Sequence, residues 1–228
     1  MDTHHPHGIR VAIADPCPMS RAGLTSWFLQ EPDIQVVAEA DTADSLQAII
    51  QAYSPDIVFL TFGLDSFPCM ELLEFILRNS SAPKVLLVAP RGMNLSLKAR
   101  SFGAHGFIFN NESRELFVAA VRNLAERNVE YWMSDNTRKI VNKASVELNS
   151  ARLTAMEKKV FAFICYNNHT IAEKLFLSEG TVRNHISSIY LRLNVKNRNE
   201  AIQLARRFGI LHEMTRSEPT IEEFFEWT

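Results

Sequence analysis

Cysteine is scarce here, and so are the clusters that carry catalysis. Cys17, Cys69 and Cys165 are the only cysteines in 228 residues. They form no CxxC pair, and an odd count argues against a disulfide framework. They are expected to pack as small buried hydrophobes. No apolar run approaches the roughly 20 residues that span a bilayer. The polar start MDTHHPHG lacks the apolar stretch of a secretory signal. A cytosolic protein with no membrane association is expected. No Ser/His/Asp or Cys/His constellation stands out, nor does a phosphate-cradling loop or a metal-ligand set. His4, His5 and His7 lie together without carboxylates or thiolates at a recognisable spacing. Neither an enzyme, a cofactor nor a metal site is expected.

What is present is ordinary in bulk and divided in detail. With 46% hydrophobic and 22% charged residues, the chain can bury a core and has room for two small domains or one large one. The formal charge of −2 hides an asymmetry. Residues 151–212 hold ten Lys and Arg against four acids, a balance of +6. Residues 1–131 stand at −5, with ten basic and fifteen acidic side chains, and residues 213–228 at −4. One basic module is therefore the place for a polyanion to bind.

From Arg10 onward, apolar runs alternate with helical patterns. The strands read as 10–15, 34–40, 56–60, 84–89 and 106–110, with helices near 19–29, 43–53, 68–79, 94–102 and 113–128. Ile57 to Leu60 are apolar without alternation, as in a strand covered by helices on both faces. The expected fold is a doubly wound α/β domain over 9–131, with a five-stranded parallel sheet in flavodoxin-like order. Chemistry in such sheets lies at the carboxyl ends of the strands, where Thr61 is an unexpected polar residue.

Residues 132–150 are mostly polar without a sustained period, and read as a linker with at most one helical turn. Residues 151–212 then read as all helical. Thr154 and Glu157 form a capping box before Val160, Phe161 and Ile164. TIAEKLF is a short helix. Ser178 caps a longer one with a stripe of Val182, Ile186, Ile189 and Leu193, and Asn197 and Gly209 bound a fourth. Two short helices in close succession, the second with polar side chains at its start, make a helix-turn-helix. The tail 213–228 is acidic, yet spaces Ile221, Phe224, Phe225 and Trp227 like one face of a helix.

The run IAEKLFLSEGTVRNHISSIYLRLNVKNRNEAI within 151–212 resembles the DNA-binding domain of the LuxR and NarL type. Residues 9–128 resemble the receiver domain that often precedes it, through IRVAIADPCPMSRAGL, PDIVFLTFGLD and GAHGFIFNNESRELFVAAVRNL. The chain is thus similar to a response regulator of the NarL/LuxR (FixJ) family.

The resemblance gives Thr61 its meaning: it occupies the place of the aspartate that accepts a phosphoryl group. Receivers also use two acids after the first strand, a Thr or Ser after the fourth and a Lys after the fifth. Here those places hold Asp15 with Pro16, Ala89 and Asn110. Phosphoryl transfer needs a nucleophilic oxygen, a cation clamp and donors for the developing charge. Only Asp15 remains of that set. Asp65, four residues past Thr61, is the nearest substitute acid, still without a supporting Lys. Thr61 and Asn110 are expected to form a neutral hydrogen-bonded cluster. Cys17 and Cys69 also fall near this edge.

For the other domain the resemblance places the helix from Glu179 in the major groove. Thr181, Arg183, Asn184, Ser187 and Ser188 leave its buried stripe. Arg183 has the geometry for guanine or phosphate, and Asn184 for adenine. Lys174, Arg192, Lys196 and Arg198 suit phosphates. His185 reads as a packing residue. The expected function is an atypical response regulator, a dimeric DNA-binding transcription factor controlled without aspartyl phosphate, by dimerisation or by a protein or small-molecule ligand at the pseudo-receiver. The alternative is an interaction protein that sequesters a partner through the receiver-like domain and tail.

Overall fold

The computed structural model describes residues 8–64, 69–78, 82–126 and 130–211. Its first half alternates strand and helix: β1 (Ile9–Ala14), α1 (Pro18–Phe28), β2 (Ile34–Ala40), α2 (Ala43–Tyr53), β3 (Ile57–Thr61), α3 (Cys69–Leu77), β4 (Lys84–Ala89), α4 (Ser96–Ser101), β5 (Gly106–Phe109) and α5 (Arg114–Ala125). The strands are parallel and ordered β2-β1-β3-β4-β5, the flavodoxin-like arrangement expected from sequence.

Why the strands do not alternate is visible in the packing. Val58 and Leu60 face one layer, with Leu46 of α2, Leu72 of α3 and Ala99 of α4. Ile57 and Phe59 face the other, with Leu24 and Phe28 of α1 and Phe117 and Val121 of α5. Each such side chain removed from water contributes about 1.5–3 kcal/mol, so a one-residue slip of β3 would lose nothing in polarity but would break this interdigitation.

Residues 132–150 depart from the linker expected there. Trp132 pairs alongside β5: its N–H donates to the His105 carbonyl at 2.9 Å, and its carbonyl accepts from Phe107 N–H at 2.9 Å. A 16-residue helix, α6 (Asp135–Ser150), follows, capped by the Ser134 hydroxyl. Its apolar stripe is thin, but Val141 packs into the core of the α/β domain and Ala144 into that of the next domain. Tertiary burial on two sides stabilises a helix whose own sequence pattern is weak.

The second domain is α7 (Ala155–Ala162), α8 (Asn168–Leu175), α9 (Glu179–Leu193) and α10 (Arg198–Phe208). Thr154 with Glu157, Ser178 and Asn197 cap their helices as the sequence predicts, and Gly209 ends α10 in the left-handed conformation at φ +72°. The turn between α8 and α9 is made by Phe176, also left-handed at φ +54°. The two domains touch. Asn94 N–H donates to the Arg206 carbonyl at 3.1 Å, and Lys98 Nζ to the Leu211 carbonyl at 2.8 Å.

Among the described residues no helix is long and apolar enough to cross a membrane. The histidines at 4, 5 and 7, Asp65 and the tail 213–228 lie outside them.

Candidate nucleic-acid interface and receiver edge

The strand ends gather the receiver-edge residues. Asp15 follows β1, Thr61 ends β3 opposite Val88, Ala89 ends β4, and Asn110 follows β5 with its N–H on the Ala89 carbonyl at 2.9 Å. Their environments differ from the neutral cluster expected. The Thr61 hydroxyl oxygen is buried with no hydrogen-bond partner among the described residues, while Asn110 is exposed. The fifth strand stops at Phe109, so Asn110 has left the sheet and turns to solvent. Ala89 is fully buried and Pro16 exposed, and neither side chain carries a polar atom.

Asp15 is buried, with Oδ1 accepting from Cys17 N–H at 2.7 Å. Arg21 donates to the Asp15 backbone carbonyl at 2.7 Å, but its charge is turned to Glu39 at 3.4 Å. Cys17 and Cys165 are exposed rather than buried, because each stands in a connection beside a helix and not on an apolar stripe. Cys17 occupies the N-cap position of α1. Hydrogen bonds from the Ser20 backbone and hydroxyl and the Met19 backbone lower its thiol pKa, against smaller opposing effects of desolvation and of the Asp15 charge.

On α9 the 3.6-residue period sorts the expected DNA contacts into two groups. Arg183, Asn184 and Ser187 are exposed on one face, and only Ser187 has its side chain engaged, with its hydroxyl on the Arg183 carbonyl at 3.0 Å. Lys196 is also exposed. Thr181 is half-buried and shares a 2.8 Å hydroxyl contact with Ser178 in the helix cap. His185 is half-buried.

Ser188, Arg192 and Arg198 are turned to internal duties instead. Ser188 hydrogen-bonds the buried Glu157 carboxylate. Arg192 reaches the same carboxylate at 3.4 Å and donates to the Arg152 carbonyl at 2.9 Å. Arg198 donates to the Tyr166 carbonyl at 2.6 Å and to Asn168 at 2.5 Å, tying α10 to the start of α8. Lys174 lies 5.6 Å from the Tyr166 ring centroid. Sequence position gave Lys174, Arg192 and Arg198 a charge that suits phosphate, but not the partners that lie within reach in the fold.

A cleft of about 610 Å³ opens beside Arg183 and Ser187, and Asn167, Asn168 and His169 at the start of α8 form its other wall. Those three were missed in the sequence, although Asn167 opening a short helix was a readable cap signal. His169 lies between Glu173 at 3.3 Å and Glu179 at 3.1 Å, linking the two helices of the motif at this wall. The exposed α9 face and the cleft together form a surface that carries hydrogen-bonding and cationic groups, with Ile186 and Tyr190 among the cleft's lining.

Comparison with known proteins agrees with this layout. Residues 151–205 match the family described as bacterial regulatory proteins, luxR family. The transcriptional regulatory protein LnrK of Bacillus subtilis is 27% identical over 216 residues, covering 89% of this chain and 98% of its own. The crystal structure of the response regulator ChrA, of a heme-sensing two-component system, superposes with a TM-score of 0.52 at 26% identity, over 90% of this chain and all of its own. A structure of two RcsB dimers bound to two parallel DNAs shares the fold at a TM-score of 0.63 and 17% identity, over 90% and 100%. A receiver-like α/β domain in front of a luxR-family helix-turn-helix makes this chain a DNA-binding transcriptional regulator of the response-regulator type, similar over most of its length to regulators of the NarL/LuxR family.

Proposed function

We propose that this regulator binds a specific double-stranded DNA site without aspartyl phosphorylation, as a homodimer whose state is set by its pseudo-receiver. The observation that carries this reading is the chemistry of the receiver edge. A buried Thr61 hydroxyl, without a hydrogen-bond partner among the described residues, stands at the acceptor position, and the strand-five position holds the exposed amide of Asn110. A threonine hydroxyl has a pKa far above neutral, and no base lies against it among the described residues. Of the three acids with which a receiver holds Mg²⁺ and accepts the phosphoryl group, Asp15 alone remains.

The domain boundaries follow the same reading: 9–131 for the pseudo-receiver, 151–212 for the DNA-binding domain and 213–228 for the tail, with 132–150 joining them through α6. Arg183 and Asn184 read bases from the exposed face of α9, with Ser187 and Lys196 beside them on the phosphates. Ser188, Arg192 and Arg198 act one step back, by holding α9 and α10 in place. The DNA-bound RcsB dimers offer a geometry for the assembled complex, and a two-fold protein fits a two-fold site. A gel shift with unmodified full-length protein at low salt tests the proposal. Sequence-specific retardation of at least one genomic fragment is expected, and its absence across all fragments would overturn it.

A further inference from the structure

A second cleft, of about 150 Å³, lies on the α1–α5 side of the receiver edge. Its polar end is Asp15, Ser20 and Asn110, and its floor and walls are Leu24, Trp27, Val88 and Phe117. Three observations set it apart from ordinary surface relief.

First, Asp15 is only 6% exposed, and its carboxylate accepts one N–H, on Oδ1. No cationic side chain pairs with it among the described residues, because Arg21 spends its charge on Glu39 and the strand-five position is Asn110. A carboxylate so far out of water is costly unless a cation meets it. Second, the remaining wall is aromatic and apolar, with the Trp27 and Phe117 rings 5.7 Å apart and tilted by 58°. Aromatic faces beside a carboxylate form the arrangement that attracts organic cations. Third, Gly23 lies in the middle of α1 on the cleft wall, and a Cβ built there would meet nothing within 4 Å. Glycine in a helix interior costs about 1 kcal/mol relative to alanine, and here it borders the cleft with open space beside it.

We propose that this cleft binds a small organic cation, an ammonium on an apolar body about the size of one aromatic ring. The size follows from volume, since an apolar cavity of about 150 Å³ accommodates benzene. The ammonium sits on the Asp15 carboxylate, with the Ser20 hydroxyl and the Asn110 carbonyl as further acceptors. The body lies against Leu24, Trp27, Val88 and Phe117. This inference rests on the reading of the receiver as an input that does not use phosphate, and supplies that input with a ligand class.

The test is calorimetric titration of the full-length protein with benzylamine and with benzyl alcohol, its uncharged counterpart. Benzylamine is expected to bind about tenfold more tightly than benzyl alcohol, the worth of a charge-assisted contact. Asp15→Asn should abolish that preference. Gly23→Leu should fill the cleft and block both probes while keeping the fold, as read by circular dichroism. Absence of benzylamine heat at the highest soluble concentration would overturn the proposal, as would undiminished binding to Gly23→Leu. So would one-for-one displacement of benzylamine by MgCl₂, which would make Asp15 an inorganic cation site. DNA retardation by unmodified protein is read separately, so failure of the ligand and failure of phosphate independence give different results.

Discussion

Burial pushes the Glu157 carboxyl toward its protonated form. The Ser188 hydroxyl, the Thr154 backbone and hydroxyl, and the Arg192 guanidinium together outweigh that and hold its pKa below the usual value. A carboxyl depressed in the folded state stabilises the fold at pH above its unfolded pKa, and that stability is lost as pH falls through the folded pKa. The helix-turn-helix should therefore lose stability on acidification below about pH 4.3. Glu157→Gln should flatten that acid limb in urea titrations and lose roughly 1–3 kcal/mol at neutral pH. Arg183 is a different kind of residue, exposed and with no side-chain hydrogen bond or ion pair among the described residues. Arg183→Ala should leave the melting temperature unchanged and weaken binding to the target site by about tenfold, measured by fluorescence anisotropy at fixed salt. Thr61→Asp alone should take up no phosphoryl group from acetyl phosphate with Mg²⁺, since Pro16, Ala89 and Asn110 remain. Mass spectrometry of the intact chain reads this directly.

Among the elements, α6 shows where sequence patterning stops being informative. The five strands were legible because burial on both faces demands continuous apolar runs, and the caps at Thr154, Ser178 and Asn197 because each is a local hydrogen bond. The helix α6 was not legible, because its residues meet partners distant in sequence. Glu112 in the β5–α5 connection is buried, and its Oε1 accepts from Ser134 at 3.2 Å, Asn136 at 2.9 Å and Thr137 at 3.0 Å. One carboxylate thus anchors the first turn of α6 two residues from Asn110, where negative charge also suits the helix dipole. Glu112→Ala should leave those donors unsatisfied and lower the unfolding free energy by about 2 kcal/mol or more in urea melts. The same limit explains the receiver edge. Sequence placed its residues at the strand ends, but the burial of the Thr61 hydroxyl and the exposure of Asn110 depend on where β3 and β5 stop.

In the whole molecule, the contact between the domains is narrow and close. A Cβ at Gly209 would stand 2.0 Å from the Asn94 carbonyl oxygen, so glycine there serves both the left-handed turn and the approach of α10 to the β4–α4 connection. Gly209→Ala should cost about 1–2 kcal/mol in backbone strain and part the domains at this point. An increased radius of gyration in small-angle scattering is the expected result, and an unchanged profile would show that the contact is not maintained in solution. The central claim concerns what this two-domain molecule needs in order to bind DNA. The direct test is to measure its affinity for a target fragment before and after treatment with acetyl phosphate and Mg²⁺, following phosphoryl uptake in the same samples. The account predicts no uptake and affinities equal within about twofold. Stoichiometric phosphorylation with a tenfold or greater tightening would contradict it.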